Sequence, residues 1–544
     1  MMEQKGATTA PVGVPSACKG KLPGAEDSHD EILMRLDKHV APHVESFNYF
    51  ATEGLVQICQ HMRPIEFGAK IAGHTTKVHL RVEALKLQRP MRGNASDMSD
   101  DRLLPAHCRE ENSFYGAPLS MTVAVTLDDG RRKFLVHRIF SNFPVMVRSV
   151  KCHLQGLSPR ELVSHKEEPR EFGGTFICNG NERVIRLLQM QRRNHPLALN
   201  RPSFAKKGSG FTSFGCSIRC VRGDQLAATN VLHYVKNGSV MVRFSARKRE
   251  YFIPVVQILK ALRRSSDREI LEQIVRASGE GKDKSFSTQR IEMMLRESKE
   301  LGLKTRGDYL AHIGSMFRDE LGSPSWHSDA VVGECLIKRY ILIHLSGTSW
   351  DAPQDFDSKF NLMIIMIGKL YALARSTISE DNADALSNQE ILLPGHLFNM
   401  IVGERAQDIL LGMRAGIERE LRQGKMTKAK LGVSNYFQNA LLKQKDLTKG
   451  MQYFLATGNL DSRTGLDLMQ DKGFVVNAEK LNYYRYLSHF RAVHRGAFFT
   501  TMRTTTVRKL LPESWGFMCP VHTPDGSPCG LLNHITLSCA PIGR

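Results

Sequence analysis

The sequence predicts a multidomain α+β protein. Apolar and polar residues alternate over 76–90 and 119–150, which is the pattern of strands in a half-buried sheet. From about residue 255 to residue 446 the apolar residues recur at the spacing of helices instead. Strands and helices do not alternate regularly, which argues against a parallel βαβ sheet. A chain of 544 residues has room for about two to four domains.

The strand-rich part contains one clear hairpin. Residues 122–127 read Thr-Val-Ala-Val-Thr-Leu, and the Asp-Asp-Gly sequence at 128–130 supplies the turn that follows. Apolar runs bounded by turn residues predict further short strands at 175–178, 214–220 and 240–244.

The helical part carries an apolar residue at every third or fourth position. Pro394-Gly395 marks a break, and a helix is predicted directly after it. An earlier helical pattern begins near Ile32. The residues at helix spacing are Ile258, Leu259, Leu262, Leu397, Met400, Ile401, Leu410, Met413 and Ile417.

The composition indicates an intracellular partner of nucleic acid. Lys and Arg number 75 against 55 Asp and Glu, a net charge of +20, which favours a polyanionic partner over a membrane. A basic surface that serves only solubility is the alternative. The apolar stretch 360–374 is too short and too interrupted to span a bilayer. The first 30 residues show no signal-peptide pattern, so the 11 scattered cysteines are expected to be reduced thiols.

Residues 471–510 combine eight Lys and Arg with two acids, a net charge of +6, and tyrosines and phenylalanines are interleaved with them. Guanidinium groups bind phosphates and aromatic rings stack on bases, so this segment fits a groove for single strands or a hybrid. The alternative is a solvated basic face with aromatic residues in the core. The cations are Lys472, Lys480, Arg485, Arg491, Arg495, Arg503, Arg508 and Lys509.

Metal and nucleotide motifs are weak. Four residues near the end have side chains that bind zinc, namely Cys519, His522, Cys529 and His534. Their spacing is loose, so no metal site is predicted. Cys216 and Cys220 lie four apart on a predicted strand and are expected on one face as buried thiols. Neither a phosphate-binding glycine loop nor a G-x-S-x-G elbow occurs, which argues against an ATPase, helicase or hydrolase.

The most specific motif is the run 515–534, which reads WGFMCPVHTPDGSPCGLLNH. It closely resembles the WG-x-x-CP-x-x-TP-[ED]-G-x-x-x-GL signature of the second-largest subunit of multisubunit RNA polymerases. His522 stands where that family usually has Glu, and Asp525 replaces its second Glu, as in the RNA polymerase I version. Four more blocks resemble the family in the family's order: 42–50, 143–149, 173–185 and 453–460.

The resemblance implies the domain organisation of that subunit. It places a protrusion at 36–190 and 380–458, a lobe inserted at 191–379, and a fork at 462–537. Residues 1–35 would be a flexible tail, and 538–544 a divergent, truncated end. The catalytic C-terminal half, which carries the family's zinc site, is then expected to be absent.

The resemblance also implies a function. By this resemblance the enzyme would be a DNA-directed RNA polymerase I, a nucleotidyltransferase that makes ribosomal RNA in the nucleolus of the nucleus. The largest subunit would hold Mg²⁺, while this chain shapes the DNA cleft and the fork. DNA template, RNA–DNA hybrid, the largest subunit and smaller subunits would be partners, with no membrane. The fragment alone is expected to be inactive. The alternatives are a truncated non-catalytic isoform that binds nucleic acid or polymerase partners, and an independent zinc-dependent nucleic-acid-binding protein.

The resemblance assigns nucleic-acid contacts to the fork and implies no catalytic residue within this chain. Asp525 is expected near the active centre. Ala492 stands where the family often has a second Arg, beside Arg491. The expected nucleic-acid-binding residues are His489, Arg491, Arg495, Arg503, Arg508 and Lys509.

Overall fold

The structure is a computed structural model. It describes residues 29–71, 74–92, 101–278, 284–502 and 505–542. Most of the segment expected as a flexible tail lies outside the described residues, and so does Arg503. The described part is a mixed α+β fold with several sheets, which confirms the predicted class.

Sixteen strands are found among the described residues. In chain order they are β1 Ile65–Ile71, β2 His74–Leu87, β3 Gly116–Leu127, β4 Arg132–Pro144, β5 Phe176–Cys178, β6 Asn181–Ile185, β7 Leu187–Gln191, β8 Leu197–Asn200, β9 Phe211–Val221, β10 Ala227–Val235, β11 Val240–Ala246, β12 Arg249–Pro254, β13 Gln389–Leu392, β14 Val475–Asn477, β15 Ala492–His494 and β16 Leu532–His534.

The α-helices of the described segments also number sixteen. They are α1 His29–Tyr49, α2 Leu55–His61, α3 Pro105–Glu110, α4 Pro159–Ser164, α5 Pro202–Ala205, α6 Val255–Leu262, α7 Asp267–Ala277, α8 Lys284–Glu300, α9 Arg306–Leu321, α10 Asp329–Tyr340, α11 Phe356–Ala374, α12 Pro394–Arg422, α13 Lys428–Leu431, α14 Ser434–Leu442, α15 Leu447–Thr457 and α16 Tyr483–Arg491. A π-helical turn, Phe50–Gly54, joins α1 to α2.

The predicted hairpin is confirmed. β3 pairs antiparallel with β4 across the turn Asp128–Gly130, within an antiparallel sheet of order β1-β2-β3-β4. The other predicted strands appear as β5, β9 and β11, and α6 and α12 carry the predicted helical faces. Pro394 occupies the first turn of α12, where a missing backbone N–H costs nothing.

One strand prediction extends too far. The alternation over 119–150 suggested strand throughout, but β4 ends at Pro144 and turns follow. Arg148 has a φ of 60°, a left-handed conformation that no strand contains. Val147 still donates a hydrogen bond to the Thr175 carbonyl (2.9 Å) and is fully buried. The apolar residues after Pro144 are buried in a turn, and their spacing in the sequence resembled that of a strand.

The first hydrophobic core combines two distant stretches of chain. Phe398 of α12 stacks on Phe176 with ring centroids 5.1 Å apart, and its edge contacts Phe47 (5.6 Å), Phe50 (5.5 Å) and Phe143 (6.1 Å). All five rings are fully buried. Aromatic pairs at these distances add to the stabilisation from area burial. The cluster therefore fastens α12 to the sheet β1–β4 and to α1.

A glycine permits this packing. A Cβ at Gly395 would collide with the carbonyl oxygen of Ser46 on α1. The Gly395 N–H donates instead to the Ser46 hydroxyl at 3.2 Å. The close approach of α12 to α1 thus requires glycine at this position.

The second core is built from one continuous stretch. The antiparallel sheet of order β12-β11-β10-β9-β8 packs against helices α6 to α11. The chain enters this unit after β7 and leaves it before β13, and these two strands pair antiparallel with Gln191 opposite Gln389. The second core is therefore an insertion whose two ends meet at its base.

One sequence expectation is confirmed in this second core. Cys216 and Cys220 are free, fully buried and on one face of β9, as predicted, and burial raises the pKa of each thiol to about 12. The apolar stretch 360–374 forms the buried part of α11. Among the described residues, no helix is long and apolar enough to cross a membrane.

His233 of β10 is buried in an aromatic cage. Its ring meets Phe204, Phe211 and Phe252 at 4.8, 5.6 and 5.8 Å, and neither ring nitrogen has a hydrogen-bond partner within the described structure. Burial, and then the charge of Arg243, lower the pKa of His233 from 6.5 to about 4.

We expect His233→Phe to reduce the acid sensitivity of the chain. As pH falls from 6.5 towards 4, the unfolded chain takes up a proton at this site and the folded chain does not. His233 therefore contributes stability that is complete above pH 6.5 and is lost below it, at up to about 1.4 kcal/mol per pH unit. Thermal unfolding at about pH 7 and about pH 5 measures the effect. If the Tm of the variant and the Tm of the parent chain fell by the same amount between these two pH values, the prediction would be contradicted.

Candidate nucleic-acid interface

A four-stranded sheet holds the C-terminal segment, including the polymerase-like run 515–534, against the rest of the fold. Its order is β13-β7-β15-β16, and β15 pairs parallel with β7 and antiparallel with β16. Val493 of β15 is fully buried against Leu187 of β7, Leu393, Met518 and Ile535. Four segments that are distant in sequence thereby share one small core.

Helix α16 lies within the basic segment 471–510 and fixes that segment to the rest of the fold. The Asn482 side chain caps the helix by accepting a hydrogen bond from the Arg485 N–H at 2.7 Å. Its buried face contributes Tyr486 and Phe490 to a small core with Val40 of α1. The opposite face of the helix is left to solvent.

A glycine motif makes room for α16. Gly174 has a φ of +77°, and a Cβ there would lie 2.5 Å from Val40 and 2.8 Å from the Phe490 ring. The close approach of α1 and α16 at this point therefore requires glycine.

Arg491 is turned inward. Its guanidinium donates to the carbonyls of Ile535 (3.0 and 3.2 Å), Thr536 and Cys539 (3.4 Å), and contacts His39 Nδ1 of α1. Burial lowers the pKa of Arg491, but the guanidinium keeps its charge because the ordinary value is very high. Arg491 thus fastens the strand β16 and the residues after it to α1.

Other basic residues of the segment also have partners within the chain. Arg495 forms a buried ion pair with Asp384 and lies 5.1 Å from the centre of the Phe499 ring. Arg485 pairs with Glu479 at 2.8 Å on the surface. An exposed pair of this kind contributes little stability.

Lys480 joins the most extensive ionic network. Its Nζ lies 3.1 Å from Glu182 and 3.7 Å from the buried Glu171. Arg109 contacts the same two carboxylates, at 2.9 and 3.4 Å, and also Glu167 at 2.5 Å. Burial alone would lower the pKa of Lys480, but Glu171 and Glu182 raise it. This Arg109 network fixes the chain just before α16.

His489 is neutral at physiological pH. It is half-buried, and its Nε2 accepts a hydrogen bond from the Glu479 N–H at 3.3 Å. Burial, and then the charge of Arg485, lower the pKa of His489 below 6.5. It can therefore offer a hydrogen bond to a ligand but not a positive charge.

Arg508 and Lys509 are adjacent in the sequence but differ in the partners of their side chains. Arg508 Nη1 donates to the carbonyls of Ser527 (2.5 Å) and Cys529 (2.8 Å), and Gly530 packs on its backbone. Lys509 is exposed, and its ammonium group has no ion-pair or hydrogen-bond partner within the described ranges. Arg508 therefore holds the loop of the polymerase-like run, while Lys509 projects a free charge beside it.

The zinc-type residues do not form a metal site. His522 stacks on His534 with ring centroids 3.4 Å apart, and Cys529 is exposed. Burial, and then His522, lower the pKa of His534 to about 4. No group of three or more His, Cys, Asp or Glu side chains that could hold a metal occurs in the part of the chain that the structure describes.

The structure also does not gather carboxylates for Mg²⁺. Asp525 is exposed and is the only acidic residue after Trp515. Two-metal phosphoryl transfer needs several clustered carboxylates, so the described residues of this chain do not fit a magnesium site.

Exposed apolar side chains occur within and just after the polymerase-like run, and sequence reasoning missed them. Val521 is 81% exposed and Leu537 is 82% exposed. Trp515 and Phe517 are also largely exposed, as is Tyr484 of α16. Three large apolar side chains left exposed within one short run, Trp515, Phe517 and Val521, fit a macromolecular contact surface. The sequence shows that these residues are apolar but cannot show that they are left uncovered.

Comparison with known proteins identifies the family. Residues 38–448 match the family model described as RNA polymerase beta subunit, and residues 476–540 match the one described as RNA polymerase Rpb2, domain 3. The first match alone covers most of the chain.

Curated relatives agree. The chain is 45% identical over 520 residues to "Probable DNA-directed RNA polymerase I subunit RPA2" of Schizosaccharomyces pombe, covering 93% of this chain and 43% of that protein. It is 42% identical over 524 residues to DNA-directed RNA polymerase I subunit RPA135 of Saccharomyces cerevisiae, covering 93% of this chain and 43% of that protein. It is 40% identical over 500 residues to DNA-directed RNA polymerase I subunit RPA2 of Homo sapiens (92% and 42%).

The chain spans less than half the length of these relatives. The resemblance drawn from the motifs is confirmed, and it extends over nearly all of the chain. The chain belongs to the RNA polymerase beta subunit family.

Proposed function

We propose that this chain serves in a DNA-directed RNA polymerase I as part of its second-largest subunit. The complete enzyme would synthesise ribosomal RNA on a DNA template in the nucleolus. The observation that carries this proposal is the identity of 40 to 45% to RNA polymerase I subunits over at least 92% of the chain. The same relatives do not favour a truncated non-catalytic isoform or an independent zinc-dependent protein.

The two cores suggest how the parts of the subunit correspond. The first core, built from both sides of the insertion, would be the protrusion, and the inserted second core would be the lobe. The segment 462–537 would be the fork. The meeting of β7 and β13 at the base of the insertion supports this division.

The contacts of the basic residues suggest how the fork works. Arg491 and Arg495 are engaged within the chain, which supports a role as positioning residues. The ammonium groups of Lys509 and of the exposed Lys472 have no partner among the described residues and are available for phosphates. Arg508 would keep the loop around Asp525 in place near the active centre.

The partners of the subunit follow from this proposal. The fork and cleft would contact the DNA template and the RNA–DNA hybrid, and exposed apolar residues such as Val521 and Leu537 would contact other polymerase subunits. The largest subunit would supply the Mg²⁺ site, since the described residues of this chain do not gather the necessary carboxylates.

A chimeric enzyme tests the proposal. The matching part of the Schizosaccharomyces pombe relative is replaced by this chain, and the polymerase is purified through its largest subunit. We expect the chimera to co-purify and to extend RNA on an assembled RNA–DNA scaffold. A chimera that does not join the largest subunit, or that joins it and makes no RNA, would contradict the proposal.

In the chimera, Lys509→Gln should weaken binding to the scaffold for every sequence alike. A lysine that neutralises one phosphate contributes about 0.9 to the slope of log K against log salt. We expect that slope to fall by about one, measured by titrating the scaffold at several KCl concentrations. Lys38→Gln, on the exposed side of α1, is the matched charge control. An unchanged slope in Lys509→Gln would show that Lys509 does not contact phosphate.

Arg508→Ala should slow elongation by the chimera without unfolding the subunit. The substitution removes two hydrogen bonds to the Ser527 and Cys529 carbonyls, and each contributes about 1 kcal/mol. The loop loses its fixed position, while the two main cores are untouched. Single-nucleotide addition rates provide the measurement, and Arg508→Lys should recover part of the rate. Normal elongation in Arg508→Ala would exclude this role.

A further inference from the structure

A cavity lies where the first core, the second core and the chain leading into the fork meet. Its volume is about 100 Å³, and its wall includes residues from α2, the end of α10, the middle of α12 and the segment 463–466. Pockets for drug-sized ligands span roughly 300–1,000 Å³. This seam cavity is therefore suited to a compact ligand and is too small for a nucleotide.

The wall of the seam cavity is rich in arginine. Two of its arginines are neutralised: Arg222 forms a bidentate pair with Asp224 (2.9 and 2.7 Å), and Arg463 pairs with Asp408 at 2.9 Å. The charged residues of the wall are Arg63, Arg222, Arg339, Arg463, Asp224 and Glu404. The arginines outnumber the carboxylates, which leaves the cavity positively charged.

The surplus charge belongs to Arg63 and Arg339. Arg63 donates to the Leu321 carbonyl at 3.1 Å and to the Ser323 hydroxyl at 3.4 Å, both of which are neutral. The guanidinium of Arg339 makes no hydrogen bond or ion pair within the described ranges and only lies over the Tyr340 ring at 5.3 Å. Burial, and then the charge of Arg339, lower the pKa of Arg63. The two guanidiniums therefore repel each other, and an anion between them would relieve that repulsion.

A buried amide completes the wall. Asn399 of α12 is fully buried, and neither its Oδ1 nor its Nδ2 has a hydrogen-bond partner in the described structure. Gly54 leaves room for this amide, because a Cβ there would collide with it. The carboxylate of Glu404 is already engaged, since its Oε1 accepts hydrogen bonds from Ser462 (2.9 Å) and Thr464 (2.6 and 2.8 Å). Buried polar groups are normally hydrogen-bonded, so the amide of this wall residue still lacks both a donor and an acceptor.

We propose that the seam cavity binds inorganic phosphate. The guanidiniums of Arg63 and Arg339 would hold its oxygens, which match guanidinium geometry. Hydrogen phosphate is an anion that carries both acceptors and a hydroxyl donor. It can therefore accept from Asn399 Nδ2 and donate to Asn399 Oδ1. Sulfate has the same shape and charge at neutral pH but no hydroxyl, so it would leave Oδ1 unbonded.

Bound phosphate would also join the parts of the fold. Arg339 belongs to the second core, Asn399 to the first, and Arg63 follows α2. A ligand held by all three would stabilise the seam, because a ligand that binds only the folded state stabilises that state.

Isothermal titration of the full chain with inorganic phosphate, in chloride buffer, tests the proposal. We expect one phosphate per chain and weaker binding of sulfate. Arg339→Gln should weaken phosphate binding by about tenfold or more, since it removes one of the two unpaired charges. Arg249→Gln, an exposed arginine at the start of β12 and outside the cavity, is the matched charge control and should bind like the parent chain.

Two further measurements separate binding from folding. In chloride, Arg339→Gln should unfold at the same temperature as the parent chain or higher, because the repulsion with Arg63 is removed. Asn399→Ala should lose the preference for phosphate over sulfate. The proposal is overturned if phosphate shows no saturable binding in the millimolar range, or if Arg339→Gln and Arg249→Gln bind it equally well. Neither outcome would affect the polymerase assignment, which rests on other residues.

Discussion

The packing of Phe398 against four other phenylalanines is the constraint on which the rest of the structure depends. It brings α12, which follows the insertion, onto α1 and the first sheet, which precede it. Once α12 is fixed there, β13 meets β7, and the insertion must leave and return at one place. The strand β7 then offers its other edge to β15, so the position of the C-terminal segment follows from the same aromatic cluster.

A second constraint is that partly buried basic residues need partners within the chain. The charge of the segment 471–510 suggests an open basic surface, but several of its cations are engaged within the chain. Arg495 pairs with Asp384, Lys480 joins the Arg109 network, and Arg491 binds backbone carbonyls. Partly buried cations need such partners, since burial without them is costly. Basic residues of this segment thus serve two purposes: some stabilise the fold and others are open to ligands. Only the partners of each side chain show which purpose it serves.

The sequence predicted features that depend on local residues, and it could not predict contacts between distant segments. Local signals were sufficient for the hairpin at Asp128–Gly130, the start of α12 at Pro394 and the buried thiols of Cys216 and Cys220. The motif at 515–534 was sufficient for the family. The partners of Arg491 could not be predicted, because they lie 44 or more residues away along the chain. The seam cavity is lined by at least four segments that are distant in the sequence, so it has no local signal at all.

The central claim is that Arg491 and Arg495 brace the fork while Lys509 faces nucleic acid. Electron cryomicroscopy of a polymerase that contains this chain, halted on an RNA–DNA scaffold, tests this claim most directly. The account predicts that Arg491 remains on the carbonyls of Ile535 and Thr536, that Arg495 remains on Asp384, and that the Lys509 ammonium lies within hydrogen-bonding distance of a phosphate. A reconstruction in which Arg491 and Arg495 have left these partners for phosphates, with Lys509 in solvent, would contradict it.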